Sequence, residues 1–179
     1  MVELDTQQAL ERMQKQARLL SPQALARVNA RALNRAGRAA GVVFSKEIRK
    51  TLAVRAATVK DAINTSRATV GRQEIVWTVD RKALPLETFS HSQTRRGISV
   101  RFLKGKARSI ISDAFLVPRW GMRAFKRLTP QRHPLRLLWG PSIGSQADRA
   151  WPAARARAVE VMTQRHIHEI NREVEKANR

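Results

Sequence analysis

The chain has 179 residues, 35 Lys+Arg against 14 Asp+Glu, a formal net charge of +21, 42% hydrophobic residues and no cysteine. That length and apolar content fit one folded domain with helical arms and exclude a disordered polyelectrolyte, and the missing cysteines exclude disulfides and thiolate metal sites. No run of about 20 apolar residues reads as a membrane span, and the acidic, polar opening Met1–Asp5 does not read as a secretory signal.

The first predicted element is a short helix over 5–20. Asp5 or Thr6 can cap it, and Leu10, Met13, Ala17 and Leu20 recur at helical spacing. Ser21-Pro22 then reads as an N-cap followed by proline at the first helical position, so a second helix starts there and runs to about Leu52. Leu25, Val28, Ala32, Ala36, Ala39 and Val43 form its apolar stripe. Arg27, Arg31, Arg35 and Arg38 form a cationic stripe beside it, and Ala36, Gly37, Ala40 and Gly41 are small enough to admit another backbone. Like charges one turn apart repel by some tenths of a kcal/mol per pair. A solvated face tolerates that repulsion; a nearby phosphate backbone turns it into attraction.

A helical turn or two follows over 58–64, then a loop over 64–68. Glu74–Val79 reads as a strand, Leu84-Pro85-Leu86 as a bent connector and Thr88–Arg96 as a polar loop. Ile98–Leu103 alternates as a strand and ends in the turn Lys104-Gly105-Lys106. The strongest β signal lies in 107–144. Ile110–Val117, Met122–Leu128 and Leu135–Trp139 read as a three-stranded antiparallel meander. Pro118-Arg119-Trp120-Gly121 is its tight turn, and Thr129-Pro130, His133-Pro134 and Gly140-Pro141-Ser142 punctuate the rest. Trp120, between Arg119 and Arg123, either stacks on a base or partner or covers the end of its own sheet. A last helix runs from Ser145, its cap, to about Asn178, with Pro152 as a kink or as the true first position. Its apolar residues make no single stripe, so it is either completed by a neighbouring chain or loosely packed. Its charges nearly cancel, which argues against its facing a polyanion. The expected fold class is α+β: an antiparallel sheet of about five strands packed against a long N-terminal helix, with a C-terminal helix. The expected organisation is an N-terminal helical arm (1–21), an α+β core (22–144) and the C-terminal helix (145–179).

The positive charge is concentrated. Residues 22–60 hold nine cations and one acid, and residues 81–139 hold fourteen cations and two acids. A GC-rich genome accounts for arginine over lysine but not for the shortage of acids in the same blocks. Such an excess points to a polyanionic partner. Catalytic patterns are missing. Glu87 and Asp113, the acids of the second block, fall on different strands, whereas a nuclease needs two or three carboxylates around Mg²⁺. His166 and His168 point roughly 200° apart on a helix and cannot share a metal. Neither a glycine-rich phosphate loop nor a nucleophile elbow is present. The residues therefore argue against an enzyme, a metal, a cofactor or a small-molecule substrate.

An ordered set of residues resembles a known family. Ala114-Phe115, Gly121, Phe125-Lys126-Arg127 and the run Arg132-x-Pro134-Leu135-x-x-Leu138-x-Gly140-Pro141-Ser142 are similar to the minor tail protein Z family, tail-completion proteins of long-tailed bacteriophages. Upstream, Ala32-Leu33-Asn34-Arg35, the run 45–50 and the run 84–89 fit the same order, so the likeness spans residues 30–143. The resemblance implies a structural virion protein at the head-proximal end of the tail. Its implied partners are tail-terminator and neck or connector proteins, and tail symmetry suggests a homo-oligomeric ring, a hexamer. Combined with the charge, it implies that Arg27, Arg31, Arg35, Arg38, Arg95, Arg96, Lys104 and Lys106 face double-stranded DNA in the channel. A sequence-nonspecific cellular nucleic-acid-binding protein is the alternative that the charge supports equally.

Overall fold

The computed structural model describes residues 20–177 together with Glu11, Lys15 and Arg18. Apart from those positions, the helix expected over 5–20 lies outside the described residues. The elements are α1 (Pro22–Thr51), α2 (Ala56–Asp61), α3 (Ala147–Ala177) and the strands β1 (Ile63–Ser66), β2 (Val76–Val79), β3 (Leu84–Pro85), β4 (Ser90–Thr94), β5 (Gly97–Arg101), β6 (Ser109–Ser112), β7 (Ala114–Val117), β8 (Arg123–Arg127), β9 (Leu135–Leu137) and β10 (Trp139–Gly140). The fold is α+β, with a long N-terminal helix, antiparallel sheets and a C-terminal helix. The strands are divided among four small sheets, β1–β2, β3–β10, β4–β5–β6 and β7–β8–β9, rather than gathered in one sheet of about five. Two compact units result. One comprises 1–43, 65–77 and 153–179; the other comprises 44–64 and 78–152.

The start of α1 is set as the sequence dictates. Ser21 Oγ accepts the Ala24 N–H at 3.3 Å, and proline occupies the first helical position, where no N–H is needed. The buried line of α1 is Ala24, Val28, Ala32, Ala36, Ala40, Phe44 and Ile48, a strict step of four. Four residues turn a helix by about 400°, so this line winds around the axis by roughly 40° per step. The N-terminal turns therefore bury one side in the first unit, and Phe44 and Ile48 bury another side in the second. This is why Ala39 and Val43, expected on the stripe, are only half-buried. The small residues admit side chains rather than a backbone. A Cβ on Gly37 would lie 2.6 Å from Ile75 Cδ1, and one on Gly41 would lie 3.7 Å from the Trp77 ring.

In the second unit β4, β5 and β6 form an antiparallel sheet. Thr94 pairs with Gly97 and leaves Arg95-Arg96 as a two-residue hairpin tip. Most of the segment expected as a loop over 88–96 is thus strand β4, and only its ends are turns. The polar Gln93 is accommodated because its amide reaches β7: Nε2 donates to the Ala114 carbonyl at 3.3 Å, and Oε1 accepts the Leu116 N–H at 3.0 Å. The expected loop over 64–68 likewise contains most of β1, which pairs with β2. Ile98 and Val100 are fully buried, while Ser99 and Arg101 point to the opposite, outward face.

The run Ile110–Val117 is not one strand. Asp113 sits at φ 60° and ends β6, and β7 begins in a different sheet. Aspartate tolerates this left-handed conformation because its short carboxylate can bond locally. The meander β7–β8–β9 forms as the sequence predicts, with Phe115 opposite Phe125 and Phe125 opposite Leu137. Its turn is also as expected: Gly121 takes φ 70° and its N–H donates to the Pro118 carbonyl at 3.0 Å. Trp120 covers the end of this sheet, edge-on to Phe125 at 5.2 Å, although the ring remains 49% exposed. The C-terminal helix differs in its cap. Ser142 Oγ accepts the Ser145 N–H at 3.1 Å, Ser145 Oγ donates back to the Ser142 carbonyl, and α3 proper starts at Ala147 with Pro152 inside it.

Candidate nucleic-acid interface

The eight cations expected to face DNA fall into both units, Arg27, Arg31, Arg35 and Arg38 in the first and Arg95, Arg96, Lys104 and Lys106 in the second. Within each unit the structure redraws the set.

In the first unit α1 and α3 run antiparallel, since contacts of Arg31 fall at 169 and 173 while Arg38 and Val42 share a cleft with 157 and 161. Arg31 is already engaged by carboxylates, although its side chain is 40% exposed. Its NH1 donates to Glu173 Oε1 at 2.7 Å and to Glu169 Oε2 at 3.2 Å, and Glu173 is only 7% exposed. The bond to Arg31 holds the Glu173 carboxyl below the ordinary glutamate range, against the opposing effect of burial. The same bond raises the Arg31 guanidinium further, so both groups stay charged. Next to this pair, the neutral His166 ring donates Nε2–H to Asn29 Oδ1 at 2.9 Å. Burial lowers its pKa, because the protonated ring would lose hydration. His168 is exposed on the other side of the helix, as the spacing requires.

Removing Arg31 from the stripe isolates Arg35 and Arg38. Both are exposed and have no carboxylate within ion-pair distance among the described residues. They line two adjoining clefts, ≈ 390 and ≈ 340 Å³, that also contain Arg165, and the second contains Arg157. Sequence reading missed both α3 arginines because it averaged the charge of the helix. The acids and bases are segregated: Glu169 and Glu173 turn to Arg31, Glu160 pairs with Arg157 at 2.8 Å, and Arg165 is left without a carboxylate partner among the described residues.

In the second unit the two predicted pairs do not meet. Arg95 and Arg96 form the tip before β5, and Lys104 and Lys106 lie in the turn after it, so at least the strand's own length separates them, roughly 15 Å. What joins them is the outward face of β4–β5–β6. Ser90, Ser92, Ser99 and Arg101 share that face by register. Arg108 lies across it, with Nε donating to Ser99 Oγ at 3.0 Å and NH2 to the Ser99 and Ser90 carbonyls at 3.2 and 3.3 Å. From Thr88 to Ser112 the chain carries six cations and no acid. The result is a strip of hydroxyls and guanidinium groups, with the exposed Ile110 opposite Ser99 among them and cationic turns at both ends. Hydroxyls, guanidinium and ammonium groups are the donors that contact phosphate without reading bases.

Glu87 approaches Arg123 at 4.0 Å, and Asp113 is the turn residue described above. A cleft of the second unit, ≈ 520 Å³, is lined mainly by apolar residues such as Leu84, Pro85 and Trp139. Among the described residues no three His, Cys, Asp or Glu come together as metal ligands, and no helix is long and apolar enough to cross a membrane. Compared with known proteins, the chain matches no family, no curated protein and no solved structure.

Proposed function

We propose that this chain is a structural component of the head-proximal end of a bacteriophage tail, built into a ring with its basic surfaces toward double-stranded DNA. The observation that carries the DNA part is the strip on β4–β5–β6, with six cations and no acid over 88–112. Its donors suit phosphate oxygens of any sequence. The ordered resemblance over residues 30–143 supports the virion part and supplies tail-terminator and neck proteins as neighbours. Tail symmetry makes six the expected copy number.

Electron microscopy and solution mass of the purified full chain, with and without duplex DNA, test this reading. Closed rings with a central channel are the expected result. Monomers or dimers that hold duplex on their own at moderate salt would instead favour the cellular nucleic-acid-binding alternative. Mg²⁺-dependent nicking of a plasmid would overturn both.

A further inference from the structure

The geometry points to a discrete oxyanion site in the first unit, formed by Arg35 and Arg38 of α1 with Arg165 of α3, whose ligand is a phosphate group. It deepens the reading above, since a polyphosphate partner would supply that group, but it is spatially and chemically defined on its own.

Four observations converge. First, the three arginines come from two helices and line the same two adjoining clefts, the first of which is also lined by Arg31 and by Glu169, the carboxylate that Arg31 binds. Second, the nearby acids are already used: Glu169 and Glu173 bind Arg31, and Glu160 binds Arg157. Third, none of the three has a carboxylate partner among the described residues. Fourth, the scaffold is fixed. The Arg31–Glu173 pair and the His166–Asn29 bond tie α1 to α3 on one flank, and Asn34 is held by both the Ala68 N–H and carbonyl, at 3.1 and 2.8 Å.

Converging guanidinium groups without a counter-ion repel one another, and an anion between them replaces repulsion with charge-assisted bonds. Phosphate suits the site better than a carboxylate. Each guanidinium presents a planar fork that can take two oxygens, and a tetrahedral anion offers enough oxygens for three forks from different directions. Arg157, paired at 2.8 Å with Glu160, sits at the rim of the second cleft and is not required. The phosphate comes either from free inorganic phosphate or from the phosphodiester backbone of a duplex.

Two measurements on the full chain separate these sources. The first is thermal unfolding in inorganic phosphate against chloride at matched ionic strength. The second is duplex affinity across a salt series. Each is made on the natural chain and on Arg35→Gln/Arg38→Gln/Arg165→Gln, with circular dichroism to confirm folding. If the triple variant does not fold, the exposed pair Arg35→Gln/Arg38→Gln removes two of the three charges, and loss of the phosphate response or a salt slope reduced by about 2 is expected. A phosphate-specific rise in Tm that disappears in the variant supports the site with free phosphate as ligand. No phosphate response, but a salt slope reduced by about 2 to 3 in the variant, supports it with the backbone as ligand. Identical behaviour of natural chain and variant in both measurements overturns the site. Duplex binding by both with equal slopes, and the same Tm in phosphate and chloride for both, would sink the cleft and leave the proposed function standing. Absence of duplex binding with a phosphate response would do the reverse.

Discussion

Replacing Arg95, Arg96, Lys104 and Lys106 together by alanine is expected to reduce the slope of log K against log salt for duplex binding by about 3.6, with weaker binding at every salt concentration. Each phosphate contact removed takes about 0.9 from that slope, because one set of condensed counterions is no longer released. The four side chains are exposed, lie in turns, and make no ion pair among the described residues, so their loss leaves the fold intact. Sequence preference is expected to stay flat, since phosphate contacts carry no base information. Arg72→Ala is the matched control. Its Nε is tied to Glu74 Oε1 at 2.8 Å, so removing it leaves the slope unchanged. A four-residue variant with the slope of the natural chain would remove this strip from the interface.

The second large effect is on stability. Arg31→Ala is expected to destabilise the chain by about 2 kcal/mol and lower Tm by roughly 5 °C. The Glu173 carboxylate, 7% exposed, would be left without its 2.7 Å partner. A fully buried broken pair costs more, about 3 to 5 kcal/mol; the Arg31 side chain is 40% exposed, and solvent screening reduces the figure. The sign with pH follows from the direction of each shift. Glu173 titrates below its ordinary range when folded, so its contribution is complete above that range and is lost as pH falls through the depressed folded value. In Arg31→Ala burial still favours the protonated form of Glu173, opposed only by the charges of Lys176 and Arg27. The gap between the two proteins therefore narrows as pH drops through the carboxylate range. His166, lowered by burial, adds an acid-side loss below the imidazole range in both proteins and cancels in the difference. Urea midpoints of both proteins from neutral to acid pH measure it, and a gap independent of pH would contradict the assignment.

Much of the fold is legible where the signal is local. Ser21-Pro22 starts α1 at the expected residue, and Pro118 to Gly121 closes the β7–β8 turn, because both depend on φ preferences of neighbouring residues. The sheet division is not legible, since it depends on a single left-handed residue, Asp113, inside an apolar run. Strand β4 reads as a loop because its sequence, Ser90–Thr94, is polar; what makes it a strand is Gln93 reaching the backbone of β7. The cationic surfaces were half legible. Composition locates the basic blocks, but the loss of Arg31 to Glu169 and Glu173 is a contact across more than 130 residues. Net charge per helix hides Arg165 for the same reason: segregation of acids from bases appears only when the partner helix is in place. On β5 the strand's own length separates two cationic turns that composition had grouped together.

The account rests on unpaired cations meeting phosphate while paired ones do not. Arginine-selective modification with phenylglyoxal, mapped by mass spectrometry on the full chain with and without duplex DNA, tests this residue by residue. Arg35, Arg38, Arg165, Arg95 and Arg96 should react freely and become protected by DNA, while Arg31 should be slow to react in both states. Protection confined to other arginines, or none at all under conditions where the duplex is bound, would contradict it.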